Sequence, residues 1–265
     1  MRGLYVFEIR AGGVPLVVPA WSRTTLVFQY GDLYTFYDRV GQPVPTVRLG
    51  FTGIMTGALH IPPECRASIR MIGVDLLPLA LYGLMGAGVH ELQNRASDLQ
   101  DVLGGFRAPE IPERIAEAAD ERERLTIVQD FVRGLFSRYG DRHSSHPLVR
   151  EAVQRIHTAS GNLSLRELSL ELGCTERHLR REFQRGIGVA PKQYAGLVRV
   201  EQVIGTLYSE KNGGSNGSVK TGALAERFGY HDQSHLIRDM KKNVMLTPGE
   251  LIATGQVDWL RYFFL

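Results

Sequence analysis

Two short stretches of this chain gather side chains suited to reading a nucleic-acid duplex. Between Thr175 and Arg185 stand Arg177, Arg180, Arg181 and Gln184, with His178 beside them; counting Arg185, four arginines fall within eleven residues. A guanidinium fork bridges guanine O6 and N7 with two hydrogen bonds, and it pairs equally well with phosphate. Further on, Gln233, Ser234, Ile237 and Arg238 precede Lys241 and Lys242. Glutamine suits adenine, an exposed isoleucine packs on a thymine methyl, and lysines suit the phosphate backbone.

Such readers must be carried on rigid rods, and the flanking sequence supplies them twice. The first copy is Leu165-x-x-Leu168-Ser169-x-x-x-Gly173-Cys174-Thr175-x-x-x-Leu179-x-x-x-Phe183. The second is Thr221-x-x-Leu224-Ala225-x-x-x-Gly229-Tyr230-His231-x-x-x-His235-Leu236-x-x-x-Met240, with a turn one residue longer. Each predicts a helix, a tight turn and a second helix. Ser164 and Glu167 have capping-box spacing, Gly173 and Gly229 stand where a helix ends in a left-handed residue, and Thr175 and Asp232 cap the helices that follow. Leu179, Phe183, Leu236 and Met240 then face a core, which turns the polar residues named above outward. Pro191 opens a long helix between the copies, carrying Tyr194, Leu197, Val198, Val203, Ile204 and Leu207.

Residues 148–255 resemble the DNA-binding domain of the AraC family. The matching pieces are Leu179-Arg180-Arg181-Glu182-Phe183, Gly188-Val189-Ala190-Pro191-Lys192-Gln193-Tyr194, Phe228-Gly229-Tyr230-His231-Asp232-Gln233-Ser234-His235, and Lys241-Lys242 through Thr247-Pro248. The resemblance implies a transcription regulator that lays two recognition helices in successive major grooves of double-stranded DNA. Carried over by position, Arg177, Arg180 and Arg181 are base or phosphate readers in the first unit, and Gln233, Ser234, Ile237 and Arg238 are those of the second; the helix faces add His178, Gln184 and Lys241 as candidate DNA contacts. The sequence departs from the family pattern at Thr221, Met240 and Met245, and in a long Gly-rich connection from Tyr208 to Lys220.

Ahead of this region the pattern is β. Leu4–Ile9, Val14–Val18, Thr24–Tyr30, Leu33–Tyr37, Thr46–Phe51, Ile54–Ile61 and Ala67–Ile72 are rich in β-branched and aromatic residues and are broken by glycine and proline. Tyr30-Gly31-Asp32-Leu33 predicts a hairpin turn. Helical spacing begins near Pro78, recurs over Asp98–Leu103, and becomes an amphipathic stripe at Leu125, Val128, Phe131, Val132, Leu135 and Phe136. That stripe reads as core or as a dimer seam. The expected fold class is α+β: a small N-terminal β-sandwich or barrel followed by helices, then an all-α domain with two helix-turn-helix units joined by a long helix. The expected domains are 1–140, for sensing or dimerisation, 148–255, for DNA binding, and an apolar tail at 256–265. The Gly140–Pro147 stretch reads as a solvated linker. Gly53–Ala58 and Val74–Gly86 are similar to a sensor-like domain found before some AraC-type modules, which implies a small-molecule effector or a homodimer.

Composition sets the outer limits. The chain has 265 residues, 43% hydrophobic and 22% charged, which suits about two globular domains and excludes disorder throughout. The net charge of +3 is unevenly shared: residues 141–255 hold 16 Lys and Arg against 12 Asp and Glu. No apolar run is long enough for a membrane span, and no signal peptide is recognisable. The two cysteines, Cys65 and Cys174, form no CxxC pair and read as buried hydrophobes in a cytoplasmic protein. His143 and His146 lack a third ligand, and His60 is alone among the strands, so no metal, cofactor or catalytic residue is expected. The aromatics Trp21, Phe28, Tyr30, Tyr34, Phe36 and Tyr37 read as β-core first and as a ligand pocket second. Two rival readings remain: an enzyme fused to a DNA-binding module, which would need a reactive cysteine or a metal cluster, and a protein-interaction adaptor whose helix-turn-helix units no longer bind DNA.

Overall fold

The computed structural model describes residues 3–13, 15–86, 88–140, 146–212 and 221–255. Its N-terminal strands are β1 (Gly3–Arg10), β2 (Leu16–Val18), β3 (Thr25–Gln29), β4 (Thr35–Tyr37), β5 (Pro43–Pro45), β6 (Leu49–Thr52), β7 (Leu59–Ile61), β8 (Ser68–Asp75) and β9 (Ala96–Asp98). They form two antiparallel sheets, ordered β1-β8-β3-β6-β9 and β2-β7-β4-β5. The period of two sorts β3 cleanly. Leu26 and Phe28 face a helical layer, while Val27 faces Leu16, Tyr34 and Ile61 of the second sheet.

The helical layer consists of α1 (Ala80–Met85), a 3-10 turn at Val89–Leu92, α2 (Leu99–Val102), α3 (Glu110–Glu117) and α4 (Glu121–Tyr139). The apolar stripe of α4 closes the sheet as core. Val128 and Leu135 are buried, and Phe131 meets Phe28 edge-on at 5.5 Å.

The expected hairpin at Tyr30–Leu33 is a correction, because β3 and β4 belong to different sheets. The chain crosses between them there, held by Asp32, whose backbone N–H donates to the Ser68 carbonyl and whose carboxylate accepts the Ser68 N–H at 2.8 Å. Of the expected Ile54–Ile61 strand, Leu59–Ile61 forms a strand, and Met55 makes an isolated antiparallel bridge to Trp21. Proline-flanked β5 and short β9 carried no clear pattern in the sequence.

The C-terminal helices are α5 (Pro147–Thr158), α6 (Leu165–Glu171), α7 (Glu176–Ile187), α8 (Pro191–Asn212), α9 (Thr221–Arg227), α10 (Gln233–Val244) and α11 (Pro248–Ala253). They build two cores threaded by α8. Tyr194, Leu197 and Val198 enter the first, and Val200, Val203, Ile204 and Leu207 enter the second. Ala20, Ile54 and Leu79 from the β-rich region complete the first of these cores. His146 is not the solvated linker residue expected. Its ring packs against Tyr82 at 4.6 Å, and its side chain is only 15% exposed. The remaining linker residues 141–145, the Gly-rich segment 213–220 and the apolar tail 256–265 lie outside the described residues.

Candidate nucleic-acid interface

The first reading helix is set by its neighbours in sequence. At the start of α6 the Glu167 N–H donates to Ser164 Oγ at 3.1 Å and the Ser164 N–H donates to Glu167 Oε2 at 3.0 Å. These bonds to Ser164 hold the Glu167 carboxyl below the usual carboxylate range. Gly173 then takes φ +64°, and Thr175 Oγ1 accepts the His178 N–H at 3.2 Å to start α7. Leu179 and Phe183 are fully buried; truncating Phe183 to alanine would cost about 3–5 kcal/mol.

The opposite face of α7 leaves Arg177, His178, Arg180, Arg181, Gln184 and Arg185 exposed. Arg180 Nη2 donates to Glu176 Oε2 at 3.2 Å, and Arg181 Nε donates to Glu182 Oε1 at 2.9 Å while Nη2 meets His178 Nδ1 at 3.0 Å. The Arg181 bond pulls the Glu182 carboxyl down. Exposed pairs of this kind hold little net energy, so they orient the guanidiniums without preventing exchange for phosphate or guanine. Arg177 has no charged partner among the described residues. Two members of the cluster are engaged elsewhere: the Gln184 amide donates to the Gly188 carbonyl at 2.8 Å, and Arg185 lies 5.9 Å over the Tyr82 ring.

The second unit repeats the design with different chemistry. Gly229 has φ +65°, the Tyr230 N–H donates to the Ala225 carbonyl, and Asp232 Oδ1 accepts the His235 N–H at 2.7 Å. That backbone bond, with a further contact from His231, holds the Asp232 carboxyl below its usual value. Leu236 and Met240 are fully buried. Gln233, Ser234, His235, Arg238, Lys241 and Lys242 are exposed, whereas Ile237 is half-buried. Met240 therefore fills the core position where the AraC pattern has phenylalanine. Met245 closes α10 at φ +63°, in the left-handed region where Gly188 (φ +91°) closes α7.

Sequence reasoning missed the residues that join the two units. Arg199 on α8 donates to the Gly161 carbonyl at 2.8 Å and lies 5.2 Å over the Tyr230 ring, and the Tyr230 hydroxyl donates to Asp239 Oδ2 at 2.9 Å. Between α7, α8 and α10 runs a groove of about 670 Å³ whose lining includes Arg180, Lys192, Arg199, His235 and Lys242. Lys192 carried only a weak signal, as the residue after the proline that opens α8.

The β-rich region is bonded directly to this assembly. The Ala20 N–H donates to the Asn243 carbonyl of α10 at 2.7 Å. Glu201, buried on α8, accepts the Ser22 N–H at 2.6 Å and the Ser22 hydroxyl at 2.8 Å. Arg23 lies between two carboxylates, with Nε 2.8 Å from Asp75 Oδ2 and Nη1 3.8 Å from Glu201 Oε1. Arg23 also borders a cavity of about 50 Å³ between the sheets, walled by Phe7, Trp21, Val27, Tyr34, Phe36 and Met71 among others. Three of the six aromatics read first as core (Trp21, Tyr34 and Phe36) thus line a cavity.

Among the described residues no cluster of three His, Cys, Asp or Glu could hold a metal ion. Among the same residues no helix is long and apolar enough to cross a membrane. Cys65 and Cys174 are free and half-buried, and burial pushes the Cys174 thiol up, away from the reactive thiolate.

Residues 168–254 match the family model described as a helix-turn-helix domain. No curated protein matches the sequence. Among solved structures the chain is similar to ToxT from Vibrio cholerae, at 12% identity over 95% of this chain and 97% of that one, with a TM-score of 0.50. It is likewise similar to ToxT from Vibrio cholerae O395 bound to (E)-4-(8-methylnaphthalen-1-yl)but-3-enoic acid, at 10% identity over 96% and 98% of the two chains, with a TM-score of 0.51. At such identities the likeness is one of fold, and it runs through both regions of the chain. The C-terminal region of this protein is a helix-turn-helix domain, and the chain as a whole, β-rich region included, shares the fold of ToxT.

Proposed function

We propose that this protein is a sequence-specific DNA-binding transcriptional regulator in which residues 148–255 hold the DNA and residues 1–140 modulate that hold in response to a small molecule. The observation that carries the reading is the pair α7 and α10. Each starts at a side-chain cap behind a left-handed glycine, buries two apolar anchors, and turns a polar, largely basic face to solvent. In this reading Arg177, His178, Arg180 and Arg181 serve the first major groove, with Gln184 at its edge. Gln233, Ser234, Arg238 and Lys241 serve the second, about 34–36 Å along the duplex, and Ile237 offers a partly shielded methyl surface to a thymine. Lys192 and Lys242 in the groove between the units would meet backbone phosphate, supplying salt-sensitive affinity rather than choice of sequence.

The effector part of the reading is supported by the cavity at Arg23 and by the acid-bound form of ToxT, which has the same fold. No chemical step is assigned to the chain, and a regulator of this kind works in the cytoplasm. Selection of bound sequences from a random duplex pool tests the reading. A regulator enriches a site with two half-elements one helical turn apart, while an adaptor enriches nothing.

A further inference from the structure

The cavity between the sheets holds information about the charge of its occupant. Its one cationic wall residue is Arg23, and that guanidinium already faces two buried carboxylates, Asp75 at 2.8 Å and Glu201 at 3.8 Å. A carboxylate ligand would be the third anion around one cation, in a space whose remaining walls are almost wholly apolar. Burying a charge without a counter-charge is strongly unfavourable. If Arg23 swung toward such a ligand, it would leave Asp75 and the α8 carboxylate unbalanced. Burial also pushes the hydroxyls of the wall residues Tyr5 and Tyr34 up, so that side of the space is uncharged as well.

Two uncharged wall residues each present a polar atom that lacks a hydrogen-bond partner. The Trp21 indole N–H is buried with no hydrogen-bond partner, and so is the Gln29 amide oxygen; the other end of that amide donates to the Asp32 carbonyl at 2.7 Å. A buried polar atom left unpaired is unfavourable, and a suitable ligand group would recover that loss. The indole needs an acceptor, and the amide oxygen needs a donor. A hydroxyl or a carboxamide provides both, whereas a carboxylate provides only acceptors.

From this geometry we infer that the cavity takes an uncharged apolar ligand bearing a hydroxyl or amide group, and that it rejects the corresponding acid. The inference rests on the small-molecule-modulated regulator reading and names the ligand class of that same site. It sets this chain apart from ToxT, whose solved complex holds an acid.

The test uses the full chain with three probes of matched shape: 4-methylphenol, 4-methylbenzoate and toluene. Isothermal titration is run alongside a mobility shift on the selected DNA. The inference expects saturable binding of 4-methylphenol, at least tenfold tighter than 4-methylbenzoate. It also expects Gln29→Leu and Trp21→Phe each to erase the preference for the phenol over toluene while leaving toluene binding in place. Should Gln29→Leu lower the melting temperature through loss of the Asp32 bond, Trp21→Phe alone carries this arm. Tighter binding of the benzoate, equal binding of all three probes, or no binding of any overturns the inference. If DNA binding persists in those cases, the regulator reading still stands. Phenol-selective binding in a protein that selects no DNA sequence leaves the ligand class standing and removes the regulator reading.

Discussion

Replacing Glu201 with alanine should loosen the β-rich region from the helical one. The carboxylate accepts two hydrogen bonds from Ser22 and pairs with Arg23, all buried. Removing one partner of a buried, hydrogen-bonded charge pair costs about 3–5 kcal/mol. Arg23 keeps Asp75 at 2.8 Å, so no cation is stranded, and the lower end, about 3 kcal/mol, is expected. Glu201→Gln retains one acceptor but turns an N–H₂ toward Ser22, which should cost about 1–2 kcal/mol. The loss falls on the junction: neighbouring Val200 and Val203 still fill the second core. Guanidinium titration followed by circular dichroism should therefore show a lower midpoint for Glu201→Ala and a transition split into two steps. Exposed Glu210 on the same helix is the control, and its alanine variant should stay within about 0.5 kcal/mol of the parent. A single transition for Glu201→Ala, with stability equal to that control, would refute the reasoning.

Other outcomes follow from the reading helices. Arg181→Ala should cost about 1–3 kcal/mol in a mobility-shift titration and relax preference at one base pair, whereas Lys242→Ala should weaken all sequences alike and lower the salt slope by about one. Met245→Gly should raise stability by about 0.5–1 kcal/mol in a thermal melt, because left-handed backbone penalises methionine more than glycine's extra chain entropy costs. Asp232 has a depressed carboxyl pKa in the folded protein, so its cap is at full strength above the ordinary carboxylate range and is lost as pH falls through the depressed value. Amide exchange should show the start of α10 opening in acid before that of α7, whose cap is the uncharged Thr175, and Asp232→Thr should remove the difference.

The helix-turn-helix units were legible because each is specified locally. Caps, turn glycines and buried anchors all fall within about twenty residues, and every one of those signals agrees on the same fold. The β-region was legible as strands but not as a topology. Gly31-Asp32 has hairpin chemistry, yet the chain there crosses between sheets, held by Ser68 thirty-six residues away. Glu201 gave no signal at all. It sits in a helical run as an ordinary acidic residue, and only its distance to Ser22 distinguishes it from Glu210. The reading faces were found from spacing, but the engagement of Gln184 with Gly188 depends on a left-handed turn beyond the end of its helix.

The seat that Ala20, Ile54 and Leu79 take in the first helical core bears on how separable the two regions are. A reading domain excised at residue 148 would carry an uncovered apolar scar beside its first recognition helix, and it would lack the backbone donor that satisfies Asn243. Grafting this domain behind a different sensor would therefore call for polar replacements at that scar, since the fusion point alone does not make the module portable.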